Sequence, residues 1–335
     1  MTGGAAGIIG TGHMGGAIAR RLLKQGCALR VHDIRPEAAA VLAAAGAQVM
    51  PDPAALAAGC DVVLLSLPSH AEVSQVVFGE RGLAGSMRPG QVLVNLTTGS
   101  VGSLPPLANL ERTRGIRYVT APVSQGVYAA ERGKLTAFTA GTCDGLAGAE
   151  PVLRDFCSTL IRLDSHRAAM TAKLVTNLAW AISAAALPEL LGMLGWAGIP
   201  PDQAAEVLAA SCGGSWVAEH DIPHIVDGSF DPSFTLGLLC KDLDLIREVA
   251  GSAGVRVEVG GEAEAVFRRA LGVFGPDAPE LSHVRLVDDQ WVGRPGLEPG
   301  TVSLKGSRSA IELTARCLYS GQVRLFQHRV LLPGF

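Results

Sequence analysis

The feature that most restricts what this chain can fold into is the stretch GIIGTGHMGGAIARRLL, in which Gly10, Gly12 and Gly15 have the spacing GxGxxG. Gly10 permits a tight turn, Gly12 lets backbone approach a pyrophosphate, and Gly15 lets the following helix pack closely on the preceding strand. That helix would aim the free N–H groups of its first turn at the anion. Alone the motif is weak, and its context gives it weight. An apolar run over residues 5–10 precedes it, a helical pattern to about residue 24 follows, and Asp33 closes the next apolar run, 18 residues beyond Gly15. An acid there accepts hydrogen bonds from ribose hydroxyls and repels a 2′-phosphate, which favours NAD. Arg35 could instead hold that phosphate, so NADP stays open. His13 and Met14 complete the cofactor loop, with His13 read as packed or solvent-facing rather than reactive.

Strand-like runs at residues 28–33, 61–67, 91–96, 116–123 and 135–140 alternate with helical patterns. Several, such as VVLLSL and VLVNL, are apolar without alternation, as parallel strands buried on both faces are. This predicts an α/β fold, a Rossmann-type doubly wound sheet over residues 1–164. Ligands of such sheets sit outside the carboxyl ends of the strands, so Leu67, Pro68 and Thr98 should line the nicotinamide side of the crevice. From residue 168 to about 194 the chain reads as one long apolar helix kinked at Pro188, and helical patterns follow at 201–210, 236–253 and 262–271. Residues 165–293 are thus expected to form an all-helical domain, joined to the first by that long interdomain helix. Residues 294–335 form a C-terminal extension with a linker, RPGLEPG, a helical pattern at 308–318 and a strand-like QVRLFQHRV.

The net charge of −3 supplies no basic field to recruit nucleic acid or an anionic membrane, so small molecules are the expected partners. No uncharged apolar run reaches the ~18 residues of a membrane span. Seven cysteines, an odd number without a CxxC pair, indicate neither a zinc site nor a disulfide framework and fit a reducing cytoplasm. His220 and His224 have helical spacing, but Pro223 lies between them and no cluster of Cys or Glu completes a metal site.

Lys173 and Asn177 lie four residues apart in HRAAMTAKLVTNLAW, so on a helix an amine and an amide look into one space. Such a lysine is either a proton-transferring group or a stem on apolar surface with its ammonium in water. In YVTAPVSQGVYAAERGKLTAF, Ser124 and Gly126 occupy the turn after APV, where a hydroxyl and backbone N–H groups could hold a carboxylate or cap a short helix. By spacing alone, Lys241 in KDLDLIRE is a solvated charge paired with Asp242 or Asp244.

Four blocks occur in order: GIIGTGHMGGAIARRL, APVSQGVYAAERGKLT, AAMTAKLVTNLAW and SFTLGLLCKDLDLIREVA. Over about residues 5–293 the chain resembles the β-hydroxyacid dehydrogenase family, whose members include 3-hydroxyisobutyrate dehydrogenase and tartronate semialdehyde reductase. The resemblance implies an NAD(P)-dependent oxidoreductase that interconverts a small β-hydroxyacid and its semialdehyde or ketoacid, as a homodimer or homotetramer. It implies Lys173 as general acid/base, Asn177 as its positioner and a ligand of the substrate hydroxyl, Ser124 and Gly126 on the substrate carboxylate, and Lys241 near substrate and nicotinamide. Three departures stand out. Gln125 replaces a glycine of the substrate loop, Thr120 replaces an acid before APV, and Thr176 replaces the first of two asparagines after the lysine. Gln125 and Thr176 are therefore expected to decide which substrate is admitted. The alternatives are an imine reductase on the same scaffold, against which Lys173 counts, and a non-catalytic NAD-binding scaffold protein.

Overall fold

The computed structural model of the chain describes residues 5–286. Its first sheet contains β1 (Ala6–Ile9), β2 (Leu29–His32), β3 (Gln48–Val49), β4 (Val62–Leu65), β5 (Val92–Asn95) and β6 (Arg117–Thr120). The order is β3-β2-β1-β4-β5-β6 and every pairing is parallel. Strand order reverses between β1 and β4, where a doubly wound sheet opens its crevice. Successive residues serve opposite faces: Ile8, Val31, Leu64 and Val94 enter one core with Ile18 and Leu22, while Ile9, Val63, Leu65 and Leu93 enter another with Leu56 and Val77. Burial on both sides explains why these strands show no alternation of polarity.

The segment expected as one strand over 116–123 is divided. β6 ends at Thr120, and β7 (Val123–Ser124) pairs antiparallel with β8 (Leu135–Thr139), which runs parallel to β9 (Cys157–Arg162). Pro122, with no N–H to donate, sits at the division. Thr120 and Ala140 exchange backbone hydrogen bonds of 3.0 and 2.9 Å there, joining the two sheets. Neither β3 nor β9 was expected: β3 has two residues, and β9 is exposed or half-buried at all positions but its first.

The interdomain helix runs His166–Ala185 and continues, after a break at Ala186, as Leu187–Trp196. The break precedes Pro188, which occupies the first turn of the second helix, where no N–H is needed. Ser165 caps the start, its Oγ accepting from the Ala168 N–H at 3.1 Å. Small residues let this helix approach β8, with Ala169 and Ala172 against Phe138 and Ala140. Beyond that contact it supplies Leu174, Ala181 and Ala184 to a helical core containing Leu239, Leu243 and Phe267. By length and composition His166–Trp196 could cross a membrane, but it carries Lys173 and Glu189 and is the central helix of this domain. Among the described residues the helical part has one isolated bridge, Thr235 with Pro279, and no strand. The helix and strand expected over 294–335 lie outside the described residues.

One half-buried polar contact at the edge of the helical core was not expected. A π-helix at Val217–Asp221 leads into the helix Ile222–Val226, with Pro223 in its first turn. Trp180, stacked on Phe267, donates its Nε1–H to Asp221 Oδ2 at 2.7 Å. Burial pushes the Asp221 carboxyl up to about 6, against the pull of Trp180, His220 and His224. Glu280, with one oxygen lacking a partner, is raised for the same reason. An acid raised in the folded state holds its proton more tightly than the unfolded chain does, so stability present below about pH 4 is lost as pH rises through about 6. Asp221→Asn keeps an acceptor for Trp180 and removes the ionisation. Urea unfolding should show it gaining about 1 to 2 kcal/mol more at pH 8 than at pH 5. Equal gains at both pH values would mean that Asp221 is ionised throughout.

Candidate active site

The cofactor loop follows from glycine geometry. Gly10 has φ +89°, and a Cβ on it would stand 2.2 Å from the Ser66 carbonyl oxygen. A Cβ on Gly15 would stand 1.9 Å from the Gly10 oxygen, so the helix can lie this close to β1 only without a side chain there. The helix His13–Lys24 starts at Gly12 with no side-chain cap and no acid in its first turn, which leaves its N–H groups open to a phosphate. These features fit a dinucleotide. Met14 packs against the core while His13 is exposed.

Asp33 is turned inward. Its carboxylate accepts from the Thr11 N–H at 2.6 Å, the Thr11 hydroxyl at 3.1 Å and the Arg35 N–H at 2.9 Å. Burial pushes its pKa up, but these bonds and the Arg35 guanidinium outweigh burial and hold the carboxyl below its ordinary value. Asp33 therefore braces the glycine loop as well as standing at the end of β2. The Arg35 guanidinium lies 3.5 Å from Asp33 and within 3.4 Å of where a Gly12 side chain would begin.

From the ends of β4 and β5 a continuous polar chain crosses to the helical domain. Lys173 Nζ donates to Asn177 Oδ1 at 2.7 Å, and Asn177 Nδ2 donates to Asp242 Oδ2 at 2.7 Å. The Lys241 ammonium stands 2.9 Å from Asp242 Oδ1, close but off the direction of a hydrogen bond. It donates to the Pro68 and Thr98 carbonyls at 3.0 Å each. Lys241 is thus a clamp between the helical domain and the ends of β4 and β5, not the solvated charge that spacing alone suggests. Leu67 packs beside Gly10, and its N–H donates to Thr97 Oγ1 at 3.0 Å.

Desolvation is the main cause of a Lys173 pKa lowered from 10.5 to about 8, with Lys241 lowering it further and Asp242 raising it. Lys173 as a whole is half-buried. Asp242 was missed in the sequence as anything but a surface partner for Lys241. It is 2% exposed and falls in the buried stripe Leu239, Asp242, Leu243, Ile246 of the helix Leu236–Ala253. An acid inside an apolar helical stripe was the available signal.

Ser124 lies at the end of β7, and Gln125 and Gly126 follow with φ +87° and +74°. Two successive left-handed residues suit glycine, and Gln125 pays roughly 1 kcal/mol to stand there. Its Oε1 accepts from Thr136 Oγ1 at 3.4 Å. Thr176 does not join the site: it is exposed, and its hydroxyl donates back to the Lys173 carbonyl at 2.8 Å. His220 stacks on Trp216 and His224 meets Ser229, so the two histidines serve different neighbours.

Residues 5–164 match the family model described as the NAD binding domain of 6-phosphogluconate dehydrogenase. Residues 168–287 match one described as NAD-binding of NADP-dependent 3-hydroxyisobutyrate dehydrogenase. The chain is 31% identical to L-threonate dehydrogenase of Cupriavidus necator over 265 residues, 79% of this chain and 89% of that one. The structure of 3-hydroxyisobutyrate dehydrogenase from Salmonella typhimurium superposes with a TM-score of 0.77 at 27% identity, covering 84% of this chain and 99% of the other. A structure of Psf3 in complex with NADP+ and 2-OPP gives 0.79 at 26% identity, covering 85% and 100%.

The position of Arg35 makes a measurable claim about the nucleotide. Arg35→Ala should weaken NADPH binding at least tenfold more than NADH binding, as the loss of a guanidinium–phosphate contact does. Fluorescence titration of both reduced cofactors checks this, and equal losses would place Arg35 on the part the two nucleotides share.

Proposed function

The chain belongs to the β-hydroxyacid dehydrogenase family of NAD(P)-binding oxidoreductases, and from that premise we propose that it interconverts a small β-hydroxyacid and its semialdehyde or ketoacid, with Lys173 as general acid/base. The observation that carries this reading is the Lys173 ammonium, lowered to about 8 and held by Asn177 on the wall of the cofactor crevice. The nicotinamide, when bound, supplies or accepts the hydride. The protein's part is the proton. In the direction of oxidation, neutral Lys173 accepts the proton of the substrate hydroxyl; in reduction its ammonium donates one to the developing alkoxide.

The other residues prepare that transfer. Asp242 takes the Asn177 N–H, which turns the Asn177 oxygen toward Lys173 and leaves the amine a fixed orientation. Lys241 sets the charge: it offsets Asp242 and keeps the Lys173 pKa near working pH. Ser124 and Gly126 hold the substrate carboxylate, and Gln125, stiff in its left-handed conformation, meets the remainder of the substrate. L-threonate, 3-hydroxyisobutyrate, glycerate and serine are the acids to screen, each with NAD and NADP. We assign association into a dimer or tetramer to the helical domain, where Val175, Val255 and Val259 are exposed.

Lys173→Ala should lower kcat on the best substrate by at least 10²-fold with cofactor affinity kept, since it removes the acid/base group alone. Undiminished turnover would remove Lys173 from the mechanism. The pH dependence has a definite sign. Oxidation needs the neutral amine, so its kcat should rise with pH through about 8, while reduction should fall over the same range. Lys241→Met removes the cation that lowers the Lys173 pKa and leaves the carboxylate that raises it. Its pH profile should therefore move to higher pH, and a profile that stays in place would detach Lys241 from the proton chemistry.

A further inference from the structure

A second polar chain, separate from the one through Lys173, ends at the first turn of the interdomain helix. His166, the first residue of that helix, places Nδ1 3.0 Å from Thr120 Oγ1. Thr120 is fully buried at the end of β6, and its backbone makes the reciprocal bonds to Ala140 that join the two sheets. Its hydroxyl also neighbours the buried Tyr118 hydroxyl, which accepts from Asn95 Nδ2 at 3.1 Å. Asn95 Oδ1 in turn accepts from the Thr97 N–H at 3.0 Å, and Thr97 Oγ1 from Leu67. The His166 ring lies 5.1 Å from the Tyr118 ring, tilted against it. One half-buried imidazole therefore touches the point where the first sheet, the second sheet and the interdomain helix meet.

The geometry points to His166 as a positioning residue that fixes the interdomain helix, and with it Lys173, against the strand leading to the substrate loop. Lys173 lies seven residues after His166, two turns along the same helix and so on the same side of it. Ser124 lies four residues after Thr120 on the other side of the contact. A side-chain tie between Thr120 and His166 thus sets how far the amine stands from the turn that would hold the carboxylate. The tie acts beside the short connection Leu163–Ser165, whose Leu163 N–H donates to the Thr139 carbonyl at 2.8 Å, and beside the packing of Ala169 and Ala172 on β8. It is the side-chain hydrogen bond that joins the helix start to the end of β6. His166 meets the sheet through no other hydrogen bond among those found for its side chain. Thr120, where an acid precedes APV in the resemblance, and His166 would form a matched pair in this chain. This rests on the assignment of Lys173 and Ser124 to the reaction.

The test uses the full-length protein with the best acid from the substrate screen. His166→Ala and Thr120→Val, a nearly isosteric change that removes only the hydroxyl, should each lower kcat about tenfold or more, the scale expected of a sub-ångström misplacement of a reacting group. The double variant should be no worse than Thr120→Val alone, because both single variants remove the Thr120–His166 contact and only Thr120→Val also removes the one with Tyr118. His166→Asn, whose amide can reach where Nδ1 stood, should recover most of the rate. The primary deuterium isotope effect on kcat should rise in the Ala and Val variants as the chemical step slows. Amide hydrogen exchange in the cofactor-free protein should accelerate over residues 166–173 in both, a change that does not depend on turnover. If Lys173→Ala is inactive while His166→Ala keeps its rate and its exchange pattern, the positioning role is wrong and the assignment of Lys173 stands. If Lys173→Ala turns over normally, the assignment fails, and only the exchange result then bears on the tie. Losses that multiply in the double variant would also overturn the pairing.

Discussion

A single buried carboxylate between two lysines governs this molecule. Asp242 takes a hydrogen bond from Asn177 on one oxygen and faces the Lys241 ammonium with the other. In a low-dielectric interior an acid so placed is tolerated only with its partners present: removing Lys241 takes away its countercharge, and removing Asn177 leaves an oxygen without its donor. Two amines therefore lie along one path. One, Lys241, is pinned by carbonyls at the strand ends. The other, Lys173, lies beside an amide, and desolvation lowers its pKa to about 8.

The remainder of the fold supplies walls for that arrangement. The parallel sheet brings the ends of β4 and β5 side by side because Val62–Leu65 and Val92–Asn95 pair in register, and so the Pro68 and Thr98 carbonyls converge. Small residues at Ala169 and Ala172 let the interdomain helix lie close on β8. Larger side chains there would lift Lys173 off the crevice. Packing and electrostatics are therefore coupled: the close approach excludes water, and the exclusion of water lowers the amine.

The glycine loop, the doubly wound sheet and the Lys173–Asn177 pair were legible because each rests on neighbours in sequence. Gly10, Gly12 and Gly15 announce their backbone demands within six residues, and the helical spacing of 173 and 177 needs no tertiary information. What escaped depends on partners far along the chain. Asn177 and Asp242 are 65 positions apart, Thr120 and His166 46, Trp180 and Asp221 41. A residue such as Asp242 reads as a surface acid until the helix packs, when its place in an apolar stripe shows that it is inside. Thr176 failed in the opposite sense. It lies three residues after Lys173, but its hydroxyl is taken by the Lys173 carbonyl. Spacing admits both i+3 and i+4 to the face of Lys173, and only the hydrogen bonds distinguish Thr176 from Asn177.

The clamp made by Lys241 has a consequence for how the protein comes into being. Lys241 follows Pro68 by 173 positions and Thr98 by 143, so on the ribosome the nucleotide-binding half emerges long before the residue that bridges its strand ends. The glycine loop is braced by Asp33 and Ser66 within its own half, whereas the wall bearing Asp242 is made long after them. On the proposed reading, an unfinished chain would hold dinucleotide without oxidising or reducing anything. Competence would arrive in one step, when the helix Leu236–Ala253 docks.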